Sequence, residues 1–144
     1  MNKKLIFVYG SLKRNFENHY VIEKAKYKCK AKTLECFDMF KEDCANYPYL
    51  LQRTTPKSYN VKGEVYEVYG DDILNRLDAF EDAPNYYERH TIKVKIYGGK
   101  IKKVEAYFMK EQKIPKDKDP LEEWIEDKNS FLSEFEKYYK ERIS

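Results

Sequence analysis

A chain of 144 residues, 42% hydrophobic and 37% charged, has the size and composition of one globular domain that buries its own core without help from disulfides or metal. Its 28 Lys and Arg against 25 Asp and Glu leave a net charge of +3 with the signs mixed, and no block of like charge resembles a nucleic-acid arm, so no nucleic-acid partner is expected. No stretch reaches transmembrane length, and the apolar run after Met1-Asn2-Lys3-Lys4 is too short for a secretory segment; a cytoplasmic protein with no membrane partner is expected.

The first element is Leu5-Ile6-Phe7-Val8-Tyr9, a buried strand that breaks at Gly10-Ser11. Two readings stand for the turn: a plain bend at the end of a core strand, or a place where successive N–H groups converge on a negative oxygen. Neither G-x-G-x-x-G nor G-x-x-x-x-G-K-[ST] occurs, which disfavours nucleotide binding. Residues 15–24 read as a loop or short helix. Tyr27, Cys29, Ala31 and Thr33 then alternate with Lys28, Lys30 and Lys32, the pattern of a half-buried strand with lysines in water. Cys29, Cys36 and Cys44 lack C-x-x-C spacing or a nearby His, so they read as reduced thiols and no metal site is expected.

Phe37 to Phe40 and Tyr47 to Leu51 are short strand candidates, with Pro48 placing the second at an edge or turn. Val61 to Tyr69 reads as a strand in which Gly63 marks a bulge or a close backbone approach. A helix follows, capped by Asp71 or Asp72 and ended by Pro84. On its wheel Ile73, Leu74, Leu77 and Phe80 form an apolar arc about 120° wide, and Glu81 is the one charged residue inside it. A carboxylate facing a core must be partnered or have its pKa raised, which suits proton transfer near neutral pH. The other reading is that the helix frays and Glu81 turns to water.

Tyr87 to Tyr97, with His90, Ile92, Val94 and Ile96 on one face, is joined through Gly98-Gly99 to a partner strand, Ile101 to Met109. His90 reads as a packed histidine, and no Ser-His or Cys-His pairing is visible. Asp119 as N-cap and Pro120 at the first helical position predict an amphipathic C-terminal helix over 120–143.

Four segments together resemble the gamma-glutamylcyclotransferase-like family: Phe7-Val8-Tyr9-Gly10-Ser11-Leu12-Lys13-Arg14, Asn46 to Leu51, Gly63-Glu64-Val65-Tyr66-Glu67-Val68 and Leu77-Asp78-Ala79-Phe80-Glu81. Asn18-His19, Pro84 and Tyr87-Glu88-Arg89 bring the likeness nearest to the gamma-glutamylamine cyclotransferase branch. The likeness covers Leu5 to Met109 and leaves 120–143 outside it. It implies a single α+β domain over 1–144, with a small mixed barrel-like sheet and a few helices. It implies a cofactor-free lyase that closes a gamma-glutamyl amine or peptide to 5-oxoproline and releases the amine. It puts Glu81 at the catalytic position, Tyr9, Gly10, Ser11 and Leu12 at the substrate-binding loop, and Tyr87 near the pocket. Met109 stands where relatives commonly have a tyrosine, so that contact is either absent or supplied by Tyr107. Two other readings remain: a non-catalytic binding or interaction domain of the same fold, and a hydrolase using Glu81 or, as a rival carboxylate, Glu64.

Overall fold

Seven strands and one α-helix are found among the described residues of a computed structural model, which are 3–10, 12–13, 19–22, 24–42, 47–81, 87–96, 98–110, 114–115 and 118–125. Ser11, Asn18, Cys44, Asn46, Pro84 and residues 126–144 lie outside them. In chain order the elements are β1 (Lys3–Val8), β2 (Lys26–Thr33), β3 (Asp38–Lys41), β4 (Pro48–Leu51), β5 (Lys62–Tyr69), α1 (Asp72–Phe80), β6 (Tyr87–Ile96) and β7 (Ile101–Met109). Five strands close a barrel in the order β1-β5-β2-β6-β7, while β3 and β4 form a separate two-stranded sheet. All pairings are antiparallel except the closing one, where β1 meets β7 in parallel and Ile6 faces Glu105.

Period-two burial divides the barrel wall into two faces. Phe7, Ala31, Val65, Ile92, Val94, Val104, Ala106 and Phe108 pack together inside, with Met39 and Leu50 of the hairpin and Trp124 in the same cluster. Ile6, Val8, Tyr66, Val68, Tyr107 and Met109 form the opposite face, which Leu74 and Leu77 of α1 cover.

Most of the expected elements are present, with three differences. A register shift between Tyr27 and Cys29 in the β2–β5 ladder puts Tyr27 on the outer face, edge-on to Tyr66, while Cys29 and Ala31 stay inside. The bulge therefore lies in β2. Gly63 marks the close approach instead, since a Cβ there would sit 2.4 Å from the Val8 carbonyl oxygen. Phe80, assigned to the apolar arc, is 41% exposed, because α1 ends there and only Leu74 and Leu77 reach full burial.

The third difference is at the expected C-terminal helix. Residues 120–125 are not helical. Their main chain pairs sideways, with the Leu121 N–H donating to Met39 O at 2.8 Å and the Lys62 N–H donating to Glu122 O at 2.9 Å. These bonds hold the segment extended against two strands, and the Asp119-Pro120 start signal yields to them. The remainder of that expected helix lies outside the described residues.

Candidate active site

The site residues come from three element ends: the exit of β1, the last turn of α1 and the first residue of β6. Tyr9 is buried, and its hydroxyl donates to the Tyr107 carbonyl at 2.7 Å. That bond anchors the ring, so what the exit of β1 presents is main chain. The Lys13 N–H donates to Gly10 O at 3.0 Å and closes the turn. Leu12 is buried in the outer core, and its carbonyl accepts a hydrogen bond at 3.0 Å from His19 Nδ1, which therefore carries the proton. Lys13 is itself buried and donates from Nζ to the Trp124 carbonyl at 2.5 Å.

Gly10 is required by proximity: a Cβ at this position would meet Pro48 Cγ at 2.8 Å and Cδ at 2.9 Å. The first residue of β4 thus lies against the turn. Ser11 is outside the described residues.

Glu81 is the residue that ends α1. Its N–H bonds to Leu77 O at 2.9 Å and its side chain is half-buried. Burial pushes its carboxyl up from the ordinary 4.5 to about 7. The Tyr9 phenol is pushed well above its usual range, first by burial and then by the charges of Tyr87 and Glu81, with a hydrogen bond at the Leu50 backbone opposing. Tyr87 and Glu81 are therefore each within electrostatic reach of Tyr9. Tyr87 is buried and stands opposite Met109 across β6–β7.

On β7 the Tyr107 hydroxyl donates to Asp78 Oδ1 at 2.6 Å. Burial and that bond both raise its phenol, while Arg89 works the other way. The rival Glu64 is buried on β5 and accepts from the Tyr66 hydroxyl at 3.2 Å. His90 pairs with Glu88 at 3.1 Å and lies edge-on to Phe108, as a packed histidine should.

Three contributors escaped sequence reading: Lys13, Asp78 and Arg89. Asp78 lies off the apolar arc of the helix, yet Arg89 Nη1 donates to both its oxygens at 3.0 and 3.1 Å. The available signal was Tyr87-Glu88-Arg89, which carried family likeness without a stated partner. A cleft of about 320 Å³ lies elsewhere, lined by residues that include Asp38, Arg53, Lys57 and Ile114, and shares no residue with the Glu81 region.

A closed five-stranded barrel, with a hairpin against its first turn and a half-buried acid at a helix end, defines the class as a small α+β barrel. Residues 6–126 match the family described as gamma-glutamyl cyclotransferase, AIG2-like, and the chain belongs to that family. The match runs past Pro120, into the segment expected to lie outside it. Among its relatives are the gamma-glutamylaminecyclotransferases of Mus musculus, 38% identical over 96 residues, and Homo sapiens, 37% identical over 98 residues. These alignments cover 63% and 64% of this chain, and 63% and 62% of the relatives. The chain thus spans a little under two thirds of their length. The crystal structure of an AIG2-like protein from Mus musculus superposes with a TM-score of 0.78 at 29% identity, covering 87% of this chain and 90% of that one.

Proposed function

We propose that the protein closes a gamma-glutamyl amine or gamma-glutamyl peptide to 5-oxoproline and releases the free amine. The observation that carries this reading is Glu81, an acid with a pKa of about 7 near Tyr9, where β1 turns. The names and likeness of the mammalian relatives support the same chemistry.

In the proposed reaction the ionised Glu81 takes a proton from the substrate's α-ammonium group. The freed amine attacks the γ-carbonyl carbon, a C–N bond forms, and the carbonyl electron pair moves onto oxygen. Because the Lys13 N–H is already bonded to Gly10 O, the cradle for that oxyanion draws on the turn from Gly10 to Leu12, including Ser11. Glu81 then delivers its proton to the leaving nitrogen as the carbonyl re-forms and the original amide bond breaks, and it takes the second proton from the ring nitrogen and passes it to the departing amine, which leaves as an ammonium beside the neutral lactam. Nucleophile and electrophile belong to one molecule, so the pocket only has to fold it into a reactive conformer. Tyr9 contributes its main chain and Tyr87 a wall. No cofactor enters these steps. Free thiols at Cys29 and Cys36 suit the reducing cytoplasm proposed as its location.

Incubation with gamma-glutamyl-epsilon-lysine and related gamma-glutamyl compounds, followed by assay of 5-oxoproline, tests this function. Free glutamate in place of 5-oxoproline would reassign Glu81 to water activation, and absence of any product would leave a binding domain. Glu81→Gln is expected to remove at least the ~10²- to 10⁴-fold typical of a general acid/base. Full activity in that variant would end its assignment.

A further inference from the structure

We infer that Arg89 positions Glu81, by holding the last turn of α1 against the barrel wall through Asp78. The inference rests on the acid/base role proposed for Glu81.

A nine-residue helix is not stable alone and takes its place from what it packs against. Leu74 and Leu77 anchor α1 by burial, but no residue after Leu77 in the helix is fully buried: Phe80 is exposed, and Glu81, which follows it, is only half-buried. Asp78 stands three residues before Glu81, less than one turn away. Its carboxylate receives Arg89 Nη1 at 3.0 and 3.1 Å and the Tyr107 hydroxyl at 2.6 Å.

Arg89 and Tyr107 are directly opposed in the β6–β7 ladder, so both project from one face of the wall and converge on the same acid. Arg89 is held in turn, with Nε 3.5 Å from Glu105 Oε2, and Glu105 also lies 3.9 Å from Lys4 Nζ of β1. The end of α1 is thereby referred to three strands of the barrel.

Partly exposed ion pairs contribute little to stability, so the expected consequence of breaking this one is misplacement more than unfolding. Misplacement of a reacting group by ~1 Å costs on the order of 10²-fold in rate.

Arg89→Met, Arg89→Lys and Asp78→Asn test the inference with two readouts: kcat and KM for gamma-glutamyl-epsilon-lysine, and the titration of the Glu81 carboxyl followed by carbon-13 NMR in the folded protein. The titratable group in electrostatic reach of Glu81 is Tyr9, just past β1; Tyr87 of β6 acts on the same Tyr9, and Asp78 lies three residues before Glu81 in the chain. Arg89→Met should lower kcat on the order of 10²-fold with little change in KM. It should also move the Glu81 titration from about 7 toward 4.5, as the loosened turn admits water. Arg89→Lys should recover part of both, because one ammonium replaces a planar fork. If Arg89→Met does not fold, Asp78→Asn, which keeps the shape and an acceptor for Tyr107, carries the test with the same expected directions. Unchanged kcat and an unchanged Glu81 titration in these variants would overturn the inference. If the wild-type protein releases no 5-oxoproline, the proposed function fails, yet the NMR titration still decides whether Arg89 holds Glu81.

Discussion

Lys13 and Trp124, 111 positions apart in the chain, are joined by a 2.5 Å hydrogen bond from the ammonium group of one to the main-chain carbonyl of the other. Both residues are buried. The turn that follows β1 is therefore fastened to the extended segment near the end of the family match, and neither is an independent loop. Lys13→Met would leave the Trp124 carbonyl buried without this donor. The expected loss is about 1–3 kcal/mol in urea unfolding, with a rise in KM as the turn loosens.

Two glycines should respond differently to alanine. At Gly63 the added methyl group meets backbone, the Val8 carbonyl oxygen at 2.4 Å, and the Phe7 ring at 2.6 Å inside the barrel. Gly63→Ala should cost about 1–3 kcal/mol or more in thermal unfolding, as overpacked cores do. At Gly10 the clash is with the Pro48 ring, at the margin of a short hairpin. Gly10→Ala should displace the turn, so kcat/KM should fall by a larger factor than the melting temperature suggests.

Glu81 makes stability depend on pH with a definite sign. Its folded pKa, about 7, lies above the ordinary 4.5, so between these values the folded state holds more protons than the unfolded one. Stability contributed by this group is fully present below pH 4.5 and is lost as pH rises through about 7. Glu81→Gln carries no charge and escapes that loss. Its melting temperature should match or exceed wild type at pH 8, and the advantage should shrink toward pH 4.5. A variant less stable than wild type at pH 8 would contradict the burial argument.

The same carboxyl sets the acid limb of the rate. If Glu81 must be ionised to accept the substrate's proton, kcat/KM should rise about tenfold per pH unit below about 7 and level off above it. Glu81→Gln should lose this limb along with the activity.

How much of this was legible in the residues follows from range. Local periodicity carried β1, β5 and the β6–β7 hairpin, where Gly98 and Gly99 adopt φ of +95° and +88° as the turn between them requires. The helical arc carried Leu74, Leu77 and the inward placement of Glu81. Tyr27 was misplaced because one shifted residue in the β2–β5 ladder reverses the face of its neighbour, and alternation alone does not reveal it. The predicted helix start at Pro120 is absent for a related reason: strong local start signals lost to main-chain partners at Met39 and Lys62, far back in the sequence. Asp78, Arg89 and Lys13 acquire their roles only through tertiary contact, and none has a local pattern that announces it.

The one parallel pairing among the described residues, between Ile6 and Glu105, has a consequence for biosynthesis. During translation the opening strand is made early, yet one of its two neighbours emerges from the ribosome only about a hundred residues later. Until then the nascent wall exposes an adhesive edge that another polypeptide can occupy. A chain stalled before β7 is thus a candidate client for chaperones, and the docking of β7 removes that hazard.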